Sequence, residues 1–378
     1  MFREKVQNEA LEIEKKHNKC TFDISIRLGK TFIMLNIVKR FNKVLVSYPN
    51  QPIYDSWISD AQKFNIDISH ITFTTNISLN KHNLKDYDCY IADEADTLSI
   101  ANFEHIISNQ CDNIKLFTGT IPLNNTDKRT YIDSYFPIVY SVKLDDTIGH
   151  TSKDYSITVH LIDASKTKLE LKSGKTWSEF QKIKWLENKY ITSRNWNDML
   201  VLINAIKSSK SKMEYLKTLT SSNNREIIFV ETKQQCEQLN LPSYYSGNDN
   251  SEQNLKDFQD SKIDKLVTIN QLKASITFNN LNRAILLHTY SNYSKAQQKL
   301  GRCLTYSEGN VADLHILCLA NTMDEKWVRK SLEQFNQNKI KFKTEKEIAV
   351  DNIEKDVNSF MNSFGVKEIR FGNRNYKT

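Results

Sequence analysis

The stretch CTFDISIRLGKTFIMLNIV, residues 20–38, decides the fold of this chain. It begins as a short apolar run typical of a buried strand and ends as an apolar run of helical character. Arg27, Leu28, Gly29, Lys30 and Thr31 lie at the junction. Backbone amides at such a turn cradle phosphates, the lysine reaches the β- and γ-phosphates, and the threonine hydroxyl binds Mg²⁺. The stretch therefore predicts a phosphate-binding turn in an α/β fold.

Strands and helices alternate on both sides of this turn. Short apolar runs predict strands at 20–24, 43–48, 70–74, 88–92 and 114–118, with helices at 31–41, 53–64 and 103–108. Such alternation predicts a parallel sheet covered by helices. After a less regular stretch at 145–196, a second alternating block begins. It has predicted helices at 199–219, 233–239, 252–260, 295–303 and 325–335 and predicted strands at 226–230, 265–269, 283–288 and 313–319.

An acidic turn follows the predicted strand at 88–92. Asp93, Glu94 and Asp96 are its carboxylates. A strand-end aspartate is where nucleotide-bound Mg²⁺ needs a ligand, and the adjacent glutamate can orient and deprotonate an attacking water. A solvated acidic turn is the alternative interpretation. The apolar strand before it and the phosphate-binding turn upstream favour the catalytic interpretation.

Four stretches of the first block together resemble the first lobe of superfamily-two helicases. They are RLGKT at 27–31, VLVSYP at 44–49 with Trp57 after it, DEAD at 93–96 and LFTGTIP at 116–122. The spelling is most similar to the Swi/Snf-like branch and its phage relatives. The resemblance implies that Gln7 recognises adenine. It also implies that Thr118, Gly119 and Thr120 couple hydrolysis to movement along nucleic acid.

The second block carries the rest of the resemblance. The run QKLGR at 298–302 resembles the family's Q-x-x-G-R motif, which implies a catalytic role for Gln298 and contact of Arg302 with the γ-phosphate. A solvated basic helix face is the alternative. The runs EIIFVET at 226–232, YSG at 245–247 and VTINQL at 267–272 resemble later elements of the family. Short polar side chains and backbone amides at strand ends suit phosphate contacts, and the candidates are Thr232, Thr268 and Asn270. The loop that begins at Pro49 is a further candidate for a phosphate contact, with an ordinary strand-ending loop as the alternative.

The resemblance implies an α/β fold with two RecA-like lobes, each a parallel β-sheet flanked by helices, and an ATP cleft between them. We predict an ATP-binding lobe at 1–150, a connecting region at 151–197, a helicase C-terminal lobe at 198–325 and a helical, basic tail at 326–378. The implied cofactors are ATP and Mg²⁺. We predict an ATP-dependent DNA helicase or double-stranded DNA translocase acting in replication, recombination or repair. Its DNA is duplex or single-stranded, and protein partners from those processes are not defined by the sequence.

The chain departs from the family pattern at four positions. Ile24 stands where a full phosphate loop has glycine, and Arg27 stands where many members have glycine. Ser275 replaces an expected glycine, and Thr305 replaces the usual second arginine. Arg302 is then the one predicted arginine finger, and we expect turnover that is slow or dependent on a partner.

Two other interpretations remain open. The Asp-Glu-Ala-Asp spelling also suits an RNA helicase with the same lobes. The substitutions at Thr305 and in the phosphate loop suit a nucleic-acid-binding or nucleotide-sensing module whose catalysis has decayed. Stimulation of ATP hydrolysis by DNA, by RNA or by neither distinguishes the three.

Composition agrees with a nucleic-acid partner and gives no sign of a membrane. The net charge is +7 and the sequence pI about 8.8, a balance that favours polyanions. No apolar run reaches spanning length, and the charged N-terminus does not resemble a secretory signal, so we expect a cytoplasmic protein. A bias towards lysine, asparagine and isoleucine suggests an AT-rich genome such as that of a phage, which would place the protein in the host cytoplasm. Six cysteines without a C-x-x-C pair argue against a zinc site.

The large aromatic residues are open to two interpretations. Trp57 lies at a helical position near apolar neighbours, so we expect it to pack in its lobe. Trp177, Trp185 and Trp196 could stack on bases, but we expect a small satellite core. His288 lies in an apolar run and is expected to be a packed histidine. The lysines at 339–346 are expected to be solvated.

Overall fold

The structure is a computed structural model, which describes residues 2–121, 126–170, 174, 176–220, 224–269, 278, 281–289, 296, 299–301, 304 and 311–348. The chain divides into two compact units. The first unit comprises Met1–Asp154, Gln271–Asn282 and Gln297–Ala312, and the second comprises Tyr155–Asn270, Arg283–Ala296 and Asp313–Thr378. In the described part of the chain, every helix is too short or too polar to span a bilayer.

The first unit contains a sheet of six described strands, all parallel to their neighbours. The strands are β1 (Lys19–Ile24), β2 (Val44–Tyr48), β3 (Ile71–Thr75), β4 (Cys89–Asp93), β5 (Asn113–Thr118) and β6 (Ile138–Val142). Their order is β3-β2-β4-β5-β1-β6. The central strands are continuous apolar runs because a parallel sheet is covered on both faces.

Helices cover both faces of this sheet. They are α1 (Phe2–Glu14), α2 (Lys30–Val38), α3 (Gln51–Lys63), α4 (Ile100–Ser108) and α5 (Thr126–Tyr135). Alternate residues of a strand point to opposite faces. On β2, Val44 and Val46 join the core with α1, α2 and α3, whereas Leu45 joins a second core with α4 and α5. The first unit is thus a three-layer α/β structure.

The second unit contains a larger sheet. Its described strands are β7 (Asp154–Ile162), β10 (Glu226–Val230), β11 (Ser243–Tyr244), β12 (Lys265–Ile269), β13 (Arg283–Leu286), β14 (Val311–Leu319) and β15 (Ile340–Thr344). The order is β11-β12-β10-β13-β14-β7-β15. A separate antiparallel hairpin pairs β8 (Lys168–Glu170) with β9 (Thr176–Ser178). All pairings with a recorded direction in the larger sheet are parallel.

Six described helices belong to the second unit. They are α6 (Glu179–Ser193), α7 (Trp196–Lys207), α8 (Lys210–Leu219), α9 (Lys233–Leu239), α10 (Ser251–Gln259) and α11 (Met323–Ser331). Its core joins apolar residues of α6, α7 and α8 to strands β10, β12, β13 and β14. A buried ion pair lies near this core, where Lys212 Nζ is 2.6 Å from Asp324 Oδ2. Two parallel-sheet units flanked by helices confirm the predicted fold class.

Two expectations from sequence are wrong in detail. The predicted single helix at 199–219 is two helices, because Ser209 caps α8 by accepting a hydrogen bond from the Lys212 amide at 3.2 Å. The predicted aromatic core around Trp185 and Trp196 does not form, since these side chains are 51% and 66% exposed. Trp57 and His288 are fully buried, which confirms the expectation of packing for both.

Candidate nucleotide site

Three neighbouring strands of the first unit end at the candidate site. In the order β4-β5-β1, Asp93 ends β4, Thr118 ends β5 and the turn 25–29 follows β1. The carboxyl ends of parallel strands meet at one edge of a sheet. Strand β1 connects to β2 on one side of the sheet, whereas its neighbour β5 connects to β6 on the other side, so the connections run in opposite directions from this place. Open α/β sheets bind ligands at such a reversal.

The turn after β1 has the backbone of a phosphate loop. Gly29 is the N-cap of α2 with φ 77° and ψ 49°, which is the left-handed region that glycine enters without steric cost. A Cβ at this position would lie 2.5 Å from Gln7 Nε2 and 2.6 Å from Arg3 Nη2. A side chain here would displace the ends of both side chains and strain the left-handed backbone, so glycine suits the start of the helix, where backbone amides and the helix dipole favour anions.

Helix α1 supplies two polar side chains to this turn. Gln7 is buried, and its Nε2 donates a hydrogen bond of 2.9 Å to the carbonyl of Leu28. Arg3 lies one turn earlier on the same helix face and is exposed. The role of Gln7 in adenine recognition stays a prediction, and its position beside the loop fits it. The sequence motifs do not predict Arg3 as a residue of this site. Its spacing of four residues from Gln7, which places both on one face of a helix, was the signal that could have indicated it.

Lys30 and Glu94 face each other at the site. Lys30 Nζ lies 3.5 Å from Glu94 Oε1 and donates a 3.3 Å hydrogen bond to the carbonyl of Ile24. Both side chains are mostly buried, at 12% and 15% exposure. Glu94 itself has φ 53°, a left-handed conformation that is costly for a residue with a Cβ. Local strain of this kind clusters at functional sites.

Asp93 is the more deeply buried of the two adjacent carboxylates, Asp93 and Glu94. Burial and the neighbouring Glu94 charge raise the pKa of Asp93 to about 6, and Lys30 and a hydrogen bond from Trp57 counteract part of this rise. Trp57 Nε1 donates to Asp93 Oδ2 at 2.9 Å. The sequence predicted only packing for Trp57. A buried indole N–H needs an acceptor, and that requirement was the available signal.

The charges of the site fit ATP with Mg²⁺. Two adjacent carboxylates, Asp93 and Glu94, face the ammonium of Lys30, so a divalent cation would relieve the burial cost that raises the pKa of Asp93. Among the described residues no group of three or more His, Cys, Asp or Glu could hold a metal. Mg²⁺ is commonly held by one or two carboxylates together with substrate phosphates, so it does not need such a group. Thr31, half-buried at the start of α2, is positioned by sequence to be the hydroxyl ligand.

Thr118 connects the end of β5 to the acidic turn. Its hydroxyl lies 3.0 Å from Asp96 Oδ1 and accepts a 3.0 Å hydrogen bond from the Thr120 amide. Lys128 Nζ donates to the Asp96 carbonyl at 2.9 Å. Hydrogen bonds therefore connect the end of β5, the acidic turn after β4 and helix α5. These contacts are compatible with the predicted coupling role of Thr118, Gly119 and Thr120.

Arg27 contacts the segment that carries the Q-x-x-G-R motif. Within the first unit, its Nε and Nη2 both donate to the carbonyl of Gly301, at 3.2 and 2.8 Å. Arg27 holds this position with φ 68°. Gln298 and Arg302, the predicted catalytic residues of the motif, lie outside the described residues, as does Asn270.

The predicted nucleic-acid contacts are placed in different environments. Pro49 is half-buried directly after β2, and its role stays a prediction. Thr232 is the N-cap of α9, where its hydroxyl accepts from the Gln235 amide at 3.2 Å. Thr268 is fully buried on β12. Its role in a phosphate contact stays a prediction, and the burial of its hydroxyl does not favour it.

The fold defines a class, that of α/β proteins with parallel sheets flanked by helices, and the first unit has a glycine turn of the phosphate-loop type between β1 and α2. Residues 211–307 match the family model of the helicase conserved C-terminal domain. The chain is thus helicase-like over this stretch. No curated protein shows significant sequence similarity to the chain.

Solved helicase structures are similar to the chain at low identity. The Hef helicase domain of Pyrococcus furiosus is 14% identical with a TM-score of 0.49, covering 87% of this chain and 97% of that one. A DEAD box protein of Methanococcus jannaschii is 14% identical with a TM-score of 0.47, covering 90% and 92%. Helicase Lhr of Mycobacterium smegmatis, bound to ssDNA and AMP-PNP, is 12% identical with a TM-score of 0.49, covering 86% and 46%.

Proposed function

We propose that the chain is an ATP-driven nucleic-acid motor, a DNA helicase or double-stranded DNA translocase of superfamily two. One observation carries the proposal: Lys30, at the start of α2, faces the carboxylates Asp93 and Glu94 at the end of β4, with Lys30 Nζ 3.5 Å from Glu94 Oε1. The match of residues 211–307 to the helicase C-terminal domain supports the same class. The Swi/Snf-like branch and a phage origin are the finer form of the proposal, and they rest on the motif spelling alone.

Each residue of the site has a distinct role in this proposal. Lys30 and the loop amides around Gly29 bind the phosphates, and Thr31 and Asp93 hold Mg²⁺. Bound Mg²⁺ would supply positive charge that stabilises the transferring phosphoryl group. Glu94 orients the attacking water and accepts its proton at a carboxylate oxygen. Arg302, which the resemblance places at the γ-phosphate, would complete the charge stabilisation.

The choice of DNA over RNA rests on sequence features. The Arg-Leu-Gly-Lys-Thr loop and the Thr118-Gly119-Thr120 element are spelled as in the DNA branch of the family. A net charge of +7 favours either nucleic acid equally. RNA is therefore the alternative substrate that the experiment must exclude.

The experiment is ATP hydrolysis by the purified chain at low salt, alone and with duplex DNA, single-stranded DNA or RNA. We expect stimulation by DNA that disappears in Lys30→Ala. Lys39→Ala is the matched control, because Lys39 lies at the exposed far end of the same helix. Glu94→Gln should bind ATP normally and lose about 100-fold or more in kcat, the usual contribution of a general base.

The outcomes separate the three classes of function. Stronger stimulation by RNA than by DNA would identify an RNA helicase. ATP binding without turnover under every nucleic acid would identify a catalytically weak binding module. A Glu94→Gln protein that hydrolyses ATP at the full rate would refute the catalytic assignment, whichever nucleic acid is preferred.

A further inference from the structure

The outer surface of helices α6 and α7 is unusually apolar. We call these helices and their connection the α6–α7 hairpin, residues 179–207. Among the described residues, nine large hydrophobic side chains are exposed, and five of them belong to this hairpin. The five are Trp185, Ile191, Trp196, Leu200 and Val201. Single exposed apolar residues are ordinary, but such a concentration marks an interaction surface.

The hairpin is firmly attached to its unit, so the exposure does not reflect a loose segment. Its inner side places Ile183, Leu186, Leu202 and Ile206 in the core of the second unit. Ser178 starts α6 with a capping box, in which its hydroxyl accepts from the Gln181 amide at 3.2 Å. The outward-facing side chains therefore stand on a rigid base.

Two tryptophans present aromatic surface on the hairpin, and the ring of one of them, Trp185, is held by its neighbours. The Trp185 ring packs edge-to-face against Trp177 of strand β9, with centroids 6.3 Å apart at 67°. Lys189 Nζ lies 5.9 Å from the centre of the Trp185 ring. Trp196 begins α7 and is 66% exposed. An indole face with a neighbouring cation, as at Trp185, and an exposed indole, as at Trp196, suit stacking with flat nucleobases.

The carboxylates of the hairpin are all engaged internally. Glu179 is buried and accepts hydrogen bonds from Ser209 and Ser211. Glu187 is buried and pairs with Lys184 at 2.5 Å. The third and last carboxylate is more exposed: Asp198 pairs with Lys189 at 2.7 Å and accepts from Ser193 at 2.6 Å.

The charge that faces solvent on the hairpin is consequently positive. Lys182 and Arg194 are exposed, and the side chains of Lys184 and Lys189, although paired with carboxylates, are 41% and 50% exposed. Lys182, Trp185 and Lys189 share one face of α6, because they are separated by three and four residues. This interleaving of basic and aromatic side chains distinguishes the surface from an ordinary apolar docking face.

We propose that the outer face of the α6–α7 hairpin is an accessory binding site for single-stranded nucleic acid. Bases stack on Trp185 and Trp196, and Lys182 and Arg194 contact the phosphates. Single-strand binding proteins combine aromatic platforms with a basic groove in this way, and a duplex would not expose its base faces. The inference rests on the proposed nucleic-acid function and adds a second contact outside the ATPase motifs.

The test compares the wild type with a Trp185→Ala/Trp196→Ala double variant, using fluorescent oligothymidylate in equilibrium titrations. Loss of two stacked bases should weaken binding about 30-fold or more. Trp185→Tyr/Trp196→Tyr keeps aromatic faces and should restore most of the affinity. Ile77→Ala is the matched control, because Ile77 is 89% exposed but lies in the first unit. Oligothymidylate should also quench tryptophan fluorescence in the wild type and less in the alanine variant.

The result is separable from failure of the motor proposal. A wild type that binds no nucleic acid at low salt overturns both proposals. A wild type that binds oligothymidylate with the same affinity as the alanine variant overturns only the accessory site. Sedimentation distinguishes a last alternative. If the wild type self-associates and the alanine variant does not, while both bind oligothymidylate with the same affinity, the face binds a second copy of the chain instead.

Discussion

Trp57 on helix α3 donates a hydrogen bond of 2.9 Å from its indole Nε1 to Oδ2 of Asp93 at the end of strand β4. Both side chains are buried, with Trp57 fully enclosed and Asp93 4% exposed. The bond fixes one oxygen of the carboxylate that we assign to Mg²⁺. It also lowers the burial cost of the ionised form, because a donor to the charged state favours that state.

Trp57→Phe should weaken the use of Mg²⁺ more than the binding of nucleotide. Phenylalanine keeps an aromatic ring against Phe73, whose centroid lies 5.6 Å from that of Trp57, but it removes the donor. Loss of a partner that orients a metal ligand costs about 10- to 100-fold in metal affinity or activity. We expect the Mg²⁺ concentration for half-maximal ATPase rate to rise by that order. Titration of Mg²⁺ at fixed ATP measures it.

Tyr90→Phe provides the control for this variant. The Tyr90 hydroxyl lies 2.7 Å from Ser47 Oγ, is buried and belongs to the same strand as Asp93. Its removal also deletes one buried hydrogen bond and should lower the melting temperature. The Mg²⁺ requirement should not change. Equal shifts of the Mg²⁺ midpoint in both variants would show that the effect of Trp57→Phe is general destabilisation.

Gln7→Leu should raise the KM for ATP. The substitution leaves the Leu28 carbonyl without the 2.9 Å bond from Gln7 Nε2, beside a glycine whose conformation the loop needs. An unpaired buried acceptor costs about 1–3 kcal/mol, so we expect a rise of roughly tenfold. Asn8→Ala, at the exposed neighbouring position of α1, should leave KM unchanged. Initial rates over a range of ATP concentrations measure both, and equal KM values for Gln7→Leu and wild type would contradict the prediction.

Arg27→Lys should lower kcat although it conserves the charge. The guanidinium donates two hydrogen bonds to the single carbonyl of Gly301, and an ammonium cannot reproduce that fork. Hydrogen bonds from charged groups contribute about 1.5–3 kcal/mol, so we expect a loss of roughly tenfold in kcat. Arg129→Lys, which alters an exposed pair with Asp133, is the control. An Arg27→Lys protein with the wild-type rate would show that the contact is dispensable during turnover.

The local parts of the fold could be predicted from sequence, whereas contacts between distant segments could not. The strand, turn and helix around Gly29 are specified by neighbouring residues, and the sequence places them within a few positions of β1 and α2. The pairing of β15 with β7 places Ile340 beside Ile157, and no local sequence pattern predicts this pairing. The hydrogen bond from Trp57 to Asp93 likewise joins segments 36 residues apart, and no local pattern predicts it.

Some of what was missed did have a local signal. The sequence predicts only a less regular connecting region over the residues of α6, yet Ser178 and Gln181 have the spacing of a capping box. Recognition of that box would have predicted the helix. The exposure of Trp185 and Trp196 is different, because the sequence does not show which face of a helix the rest of the unit covers.

Acidification should destabilise the second unit through His160. This imidazole is buried on β7, with Nδ1 2.9 Å from the Tyr215 hydroxyl and Nε2 2.8 Å from His315 Nδ1. Burial, reinforced by the charges of His315 and Arg283 and opposed by Asp313, lowers the pKa of His160 to about 3. The neutral form is thus favoured in the folded state. Stability from His160 is complete above the ordinary histidine pKa of about 6.5 and declines as the pH falls from there towards 3.

Urea unfolding of the wild type and His160→Gln between pH 7 and pH 5 measures this contribution. Below about pH 6.5 the unfolded chain binds one more proton at this residue than the folded chain, so the wild type should lose about 1.4 kcal/mol per pH unit that His160→Gln does not lose. Tyr215→Phe is the control, because it removes a hydrogen-bond partner and keeps the titrating ring. It should lower stability at every pH and preserve the slope. Identical slopes for the wild type and His160→Gln would mean that His160 is protonated in the folded protein, which the burial of its ring argues against.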